Sequence, residues 1–210
     1  DAVSIIAFIS MGLSLALTVP AEDIILLLLG PAWGKTAEIF RLFGPGIGFM
    51  LIYGTHGWLH LSLGRADRWF RWGVLEFVFT AGLIAFGIRF GLPGVALAWT
   101  SSFALLVGPA IWYAGRPLGL RFRTLYGRIW RYVAAALAAG LIARGLLFSW
   151  NVTAGPYSGL GLFPRLAMAF LLCGALYLAI VVLLHGSIRP VSRLIAIGRE
   201  MLSRRDPGRP

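Results

Sequence analysis

Residues 89–131 decide the fold of this chain, and they read RFGLPGVALAWTSSFALLVGPAIWYAGRPLGLRFRTLYGRIWR. The middle of this stretch, Val95 to Ala114, contains twenty residues and no charge. A helix of that length rises about 30 Å, which matches the hydrocarbon thickness of a bilayer. Arg89 alone precedes the run, whereas several arginines follow it. This asymmetry predicts a transmembrane helix and gives it a direction.

The composition indicates an integral membrane protein. Hydrophobic residues make up 59% of the 210 residues and charged residues 13%, and the mean hydropathy is +0.82. A soluble domain could not bury that much apolar surface in one core. The net charge is +11, but the basic residues stand in short blocks between apolar runs, so we expect no nucleic acid partner. The single cysteine, Cys173, excludes an internal disulfide framework.

Six apolar runs predict an all-α integral membrane fold of six transmembrane helices in three hairpins. Their approximate ranges are 2–19, 39–63, 69–88, 95–114, 132–149 and 166–184. Glu22 and Asp23 begin a short apolar run after the first span, which is typical of a helix at the membrane interface.

Glycine and proline predict the irregular points of these spans. The Gly44-Pro45-Gly46-Ile47-Gly48 segment predicts a kink and a close approach of neighbouring helices. Gly91-Leu92-Pro93-Gly94 predicts a turn, and the alanines of the fifth span predict close packing. From the six apolar runs we expect residues 1–186 to form the transmembrane region. Apolar residues at helical spacing in 187–210, with arginines among them, predict an amphipathic cytoplasmic tail.

The distribution of basic residues orients the chain. Fourteen of its 19 lysines and arginines follow the second, fourth and sixth spans. Because basic loops stay in the cytoplasm, both ends of the chain are predicted to be cytoplasmic. The chain starts at Asp1 with no basic flank or cleavage site of a signal peptide. We therefore expect it to be part of a longer multi-pass protein of a bacterial inner membrane.

Four segments resemble the polysaccharide transporter family. They are Leu28-Leu29-Gly30-Pro31-Ala32-Trp33, Leu63-Gly64-Arg65-Ala66-Asp67, Gly91-Leu92-Pro93-Gly94-Val95-Ala96-Leu97-Ala98, and Tyr113 with Arg116 and Leu118-Gly119-Leu120. The family contains the lipopolysaccharide and O-antigen flippases of the multidrug/oligosaccharidyl-lipid/polysaccharide exporter superfamily. The similarity covers residues 20–125, and the remainder is similar only in hydropathy.

The resemblance implies the C-terminal part of a two-lobed exporter of twelve to fourteen helices. Such a protein is not an enzyme and uses no cofactor. It flips an undecaprenyl-diphosphate-linked saccharide to the periplasmic leaflet by alternating access. The implied partners are this lipid-linked saccharide, membrane lipid, and glycosyltransferases or a polymerase of the same polysaccharide pathway.

The sequence offers no catalytic or metal-binding group, but it offers candidates for binding substrate or coupling an ion. Glu76 is the one carboxylate well inside a span, and a charge there usually faces protein or water. A hairpin centred near residue 68 would place His60 opposite Glu76 and His56 opposite Thr80. His60 and Glu76 would then form a titrating or ion-coupling pair, or a structural hydrogen bond.

Arg144 is the fourth candidate, since it lies within the fifth span. It could meet a diphosphate or an acidic sugar in a cavity. The alternative is an arginine whose head group reaches back to the interface.

Three other functions stay open. One is an integral-membrane enzyme, although the only adjacent acidic pair, Glu22-Asp23, lies on the predicted periplasmic side. The others are a scaffold subunit of the polysaccharide assembly machinery and a drug exporter of the same superfamily.

Overall fold

The computed structural model describes residues 2–119, 122–149 and 161–185, and helices dominate all three segments. The α-helices within these residues are α1 (Ala2–Thr18), α2 (Ala21–Leu29), α3 (Gly34–Tyr53), α4 (Thr55–Ser62), α5 (Ala66–Gly87), α6 (Gly91–Gly115), α7 (Phe122–Ser149) and α8 (Leu162–His185). Short 3-10 turns cover Pro31–Trp33, Ile88–Phe90 and Arg116–Leu118. The tail predicted for residues 187–210 lies outside the described residues.

The chain has helices that are long and apolar enough to cross a membrane. Three such stretches occur among the described residues: Ala66–Leu118, Ile129–Ser149 and Leu162–His185. The bent pair α1–α2 becomes a fourth if it is a single span. The membrane-protein prediction is therefore supported, whereas a count of six spans stays a prediction. The range predicted as the second span is not among these stretches, and α3 begins with the charged residues Lys35, Glu38 and Arg41.

A bend of 68° separates α1 from α2. Pro20 lies between the two helices, and Glu22 and Asp23 occupy the first turn of α2, where acids complement the helix dipole. This short helix agrees with the sequence prediction.

The glycines of α3 pack closely against two neighbours, as predicted. A methyl group on Gly44 would come within 2.2 Å of the Thr18 hydroxyl on α1, and one on Gly46 within 2.6 Å of the Trp99 ring on α6. The helix continues through Pro45, and its interruption lies instead at Gly54. Proline frees carbonyls in the preceding turn. Hydroxyl groups of α1 and α6 bind carbonyls close to it: Ser14 donates to Gly44 and Thr100 to Leu42.

Helices α5 and α6 form an antiparallel hairpin. Only the 3-10 turn Ile88–Phe90 separates them along the chain, so the helical residues run from Ala66 to Leu118 without a gap. Arg68 at the start of α5 donates to the carbonyl of Tyr113 at the end of α6, at 2.8 Å. The chain reverses at residues 88–91, where Gly91 has a φ of 71°. The predicted turn at 91–94 is thus three residues too late. Pro93 lies in the first turn of α6, where its missing N–H removes no helical bond.

Alanines bury the packed face of α7. Ala135, Ala139 and Ala143 follow one another at helical spacing and are fully buried, which confirms the close packing predicted for this span. α7 packs on α1 and α8. Large apolar side chains such as Phe70, Phe77 and Leu141 cover the outer surface, as a lipid-facing surface requires.

Candidate functional site

A cleft lies between α7 on one side and α1, α3 and α6 on the other. It contains two cavities of about 360 and 460 Å³, which share Phe49, Val133 and Leu137 as lining residues. The first cavity adds residues of α1 and α3, and the second adds residues of α6 around Pro109. The cavities therefore form adjacent parts of one cleft along α7.

Two arginines line the first cavity, Arg41 on α3 and Arg144 on α7. Arg41 pairs with Glu22 of α2. Arg144 is exposed, and no hydrogen bond or ion pair to it occurs within the described part of the chain. The two guanidinium groups are close enough to repel each other. One carboxylate against two guanidinium groups leaves the cavity with net positive charge.

The rest of the cleft is apolar. Ser14 and Thr18 are the other polar side chains in the first cavity, and each already donates to a backbone carbonyl. Leucine, valine, alanine and phenylalanine side chains form most of the remaining wall. The cleft therefore suits an amphiphile with an anionic group near the arginines and a hydrocarbon chain along α7.

Arg144 lies on the wall of a cavity. This is the position that its predicted role in binding a diphosphate or an acidic sugar requires. Arg41 also lines this cavity, although it is not among the candidates predicted from the sequence. Its position one turn before Pro45 inside an otherwise apolar run was the available signal.

A buried ion pair anchors α2 near this cleft. Asp23 on α2 pairs with Arg165 at the start of α8, and their residue exposures are 7% and 5%. Because both charges are desolvated, removal of the Asp23 carboxylate would take a negative charge away from a buried guanidinium. The distribution of basic residues predicts both charges on the same side of the membrane, but it does not predict their pairing across 142 positions.

A second polar site, the histidine cluster, lies where α3, α4, α5 and the end of α6 meet. We define it as Tyr53, His56, His60, Arg68, Trp72, Glu76 and Tyr113. The Trp72 indole donates to the Tyr53 hydroxyl at 2.7 Å, and that hydroxyl donates to Glu76 Oε2 at 2.6 Å. Glu76 is thus the end point of a directed chain of hydrogen bonds.

Both histidines of the cluster are buried, with exposures of 4% for His56 and 0% for His60. His56 Nδ1 lies 2.6 Å from the carbonyl oxygen of Tyr53. Within residues 2–119, 122–149 and 161–185, no hydrogen-bond partner lies near His56 Nε2 or either ring nitrogen of His60. The two ring centroids are 6.0 Å apart.

The predicted pair between His60 and Glu76 is wrong. The turn between α4 and α5 lies at residues 63–65, where Gly64 has a φ of 63°, and not near residue 68. The residues that lie opposite each other in the hairpin therefore differ from those predicted, and Tyr53 contacts Glu76. His56 faces Trp72 rather than Thr80, with ring centroids 6.4 Å apart.

An aromatic stack connects the cluster to α6. Trp72 stacks on Tyr113 with centroids 5.4 Å apart, and the Arg68 guanidinium lies 4.3 Å from the centre of the Tyr113 ring. The His60 ring also faces Tyr113, at 5.7 Å. Arg68 therefore brings a cation–π contact and a positive charge to the edge of the histidine site.

Comparisons with protein-family models, curated proteins and solved structures found no match. The function is consequently argued from the two sites.

Proposed function

We propose that this chain is the C-terminal part of a transporter that moves lipid-linked oligosaccharide or polysaccharide precursors across a bacterial inner membrane. In this proposal α1, α3–α4, α5, α6, α7 and α8 each cross the bilayer, as three hairpins of a two-lobed exporter. The protein works by alternating access and is not an enzyme.

The cleft with Arg41 and Arg144 carries the proposal. A diphosphate is a compact anion, and guanidinium groups bind phosphate oxygens through paired, charge-assisted hydrogen bonds. The apolar wall along α7 would accept the isoprenoid chain of an undecaprenyl-diphosphate-linked saccharide. By the distribution of basic residues, the arginine end faces the periplasm, where the saccharide is released.

The packing is compatible with alternating access. α7 and α8 form one packed pair, and α3, α5 and α6 form another group. Transporters of this kind rock one helix bundle against another around a central site. A movement of α7–α8 relative to α3–α6 would widen or close the cleft, and it would have to change the contacts of α1, which packs on both α3 and α7.

The arginines also separate the proposal from its closest alternative. Many drugs carried by exporters are cationic, and a cavity with net positive charge would repel them. A scaffold subunit or an integral-membrane enzyme of the polysaccharide machinery would not need Arg144 for transport. The substrate charge and the role of Arg144 therefore discriminate among these functions.

The test is Arg144→Gln in the full-length protein, with Arg144→Lys as a milder change and Arg89→Gln as a matched control in the exposed α5–α6 turn. Loss of one charge-assisted contact should weaken binding of a polyprenyl diphosphate by roughly 10- to 100-fold. Surface polysaccharide in a complementation assay should fall in parallel. The control should behave as the unmodified protein, and an Arg144→Gln variant with full binding and export would refute the proposal.

A further inference from the structure

The hydrogen bond of His56 fixes which ring nitrogen carries its proton. The partner of Nδ1 is the Tyr53 carbonyl oxygen, which can only accept. Nδ1 must therefore be the protonated nitrogen of the neutral ring. Nε2 is then a bare lone pair, buried and without a partner. A buried acceptor of this kind is costly unless water or a proton satisfies it.

His60 makes the same space more polar. Its neutral ring has one N–H donor and one bare nitrogen, and neither has a partner. The two ring centroids are 6.0 Å apart, and no direct hydrogen bond joins the rings in the described structure. One water molecule that accepts from one ring and donates to the other would bridge them. The pair presents more acceptors than donors, so a proton that reaches the rings has a nitrogen to bind.

The charges around the pair limit it to one proton. Glu76 on α5 acts on His56, but its Oε2 is already bound by Tyr53. Asp67 and Arg68 at the start of α5 act on His60 with opposite signs. From α6 the facing titratable group is Tyr113. A second imidazolium would lie beside both the first one and Arg68, so double protonation is opposed.

We propose that His56 and His60 form a binding site for a single proton, taken up at His56 Nε2, and that its uptake separates α4 from α5 and α6. The proton arrives from bulk water and leaves His56 as an imidazolium. Within the closed cluster no free carboxylate oxygen contacts that imidazolium. A conformation that lets water reach His56 therefore binds the proton better than the closed one, and acid favours opening of α4. This site is independent of which substrate the cleft carries.

Nuclear magnetic resonance of isotope-labelled histidine in lipid nanodiscs tests the site directly. The full-length protein is used, and signals are assigned with His56→Asn, His60→Gln and His185→Asn. At about pH 9, above the usual titration range of histidine, His56 should be neutral with its proton on Nδ1, the tautomer that is less common in water. Acidification should protonate Nε2 of His56 while His60 stays neutral. A proton on Nε2 at high pH, charges on both rings, or no titration in the folded protein would each overturn the proposal.

Hydrogen exchange of α4 tests the coupling. One proton changes the opening equilibrium by at most about tenfold for each unit of pH, after correction for intrinsic exchange. We expect the exchange protection of residues 55–62 to fall as the pH is lowered, by up to about tenfold for each unit. The protection of α8 should stay constant. His56→Asn should abolish the dependence without unfolding the protein, since its side-chain N–H can still donate to Tyr53. His185→Asn is the matched control, because His185 makes a similar Nδ1 contact with the Val181 carbonyl. A slope near hundredfold, or an unchanged slope in His56→Asn, would contradict the coupling.

Discussion

Two neighbouring acids on α2, Glu22 and Asp23, form ion pairs in different environments. Asp23 and its partner Arg165 are both buried, whereas Glu22 and Arg41 retain side-chain exposures of 40% and 24%. We expect Asp23→Asn to lower the free energy of unfolding by about 3–5 kcal/mol, because it removes the negative charge that faces the buried Arg165 guanidinium. Glu22→Gln should cost less than about 1 kcal/mol, because water already screens that pair. Equilibrium unfolding in mixed detergent micelles measures both.

The double variant Asp23→Leu/Arg165→Met is the control for this comparison. It removes both charges together, so stability should return toward that of the unmodified protein. Equal losses for Asp23→Asn and Glu22→Gln would show that burial does not distinguish the two pairs.

Tyr53 is the central member of the histidine cluster, since its hydroxyl accepts from Trp72 and donates to Glu76. Removing it with Tyr53→Phe leaves a buried indole N–H and a carboxylate oxygen without partners. We expect a loss of about 1–3 kcal/mol. Trp58→Phe is the matched control on α4, because Trp58 is 75% exposed. The same unfolding measurement applies, and an equal effect of both substitutions would exclude the hydrogen-bond chain as a source of stability.

Sequence reasoning identified some of the site residues but not their partners. Glu76, His56 and Arg144 stood out because charge and imidazole are rare in apolar runs. Which group each one meets depends on the rotation of its helix and on the exact position of a turn. An error of about one helical turn in the α4–α5 hairpin was enough to assign Glu76 to His60 instead of Tyr53.

The α5–α6 hairpin depends on two glycines that face each other across it. A methyl group on Gly94 would lie 2.2 Å from the Gly87 carbonyl oxygen, and one on Gly87 would lie 2.6 Å from that of Gly94. These contacts are with backbone, which cannot move aside as a side chain can. We expect Gly94→Ala to force the helices apart and to lower the melting temperature in detergent by several degrees or more, as a change of about 1–3 kcal/mol would.

Gly82→Ala on the same hairpin is the control, because a methyl group there meets nothing within 4 Å. Alanine favours a helix interior over glycine by about 0.5–1 kcal/mol, so this variant should be neutral or slightly stabilised. A Gly94→Ala protein as stable as Gly82→Ala would rule out the close approach.

The helices themselves were predictable, and their ends less so. Long apolar runs predicted α1, α5, α6 and α8 to within a few residues, because length and hydropathy suffice for such elements. α7 begins earlier than predicted, at Phe122, since a helix can continue through basic residues beyond the apolar run. The sequence signal for the break at Gly54 is no stronger than the signal at Pro45. α3 nevertheless continues through Pro45, and hydroxyl groups of neighbouring helices bind carbonyls close to it.

For the whole molecule, charge and hydropathy predicted a membrane protein and an orientation but could not predict the cleft. The cleft exists because α7 packs through small alanines on α1 and not through large residues on α3. Which helix α7 packs on depends on the rotation of each helix about its axis and on which helices are neighbours. Neither appears in the periodicity of a single helix.

The path of α3–α4 decides whether the chain crosses the membrane six times. This helix pair carries charged residues at its start, yet it occupies the centre of the packing between α1 and α6. If it spans, Lys35 before it and Arg65 after it lie on opposite faces of the membrane. If it turns back, both lie on the same face. Single cysteines at these positions, labelled with a membrane-impermeant thiol reagent, distinguish the two arrangements.

We expect labelling from outside intact cells at position 35 and at position 89 in the α5–α6 turn, and labelling only after permeabilisation at positions 65 and 119. The reason is that basic turns remain in the cytoplasm, and Arg65 and Gly119 begin or adjoin the most basic ones. The background carries Cys173→Ser, which removes the single thiol of these 210 residues, itself buried on α8. Labelling of positions 35 and 65 from the same side would reduce the count below six. It would also place Arg41, His56 and His60 on a re-entrant segment, so the cleft could no longer connect the two faces of the membrane as alternating access requires.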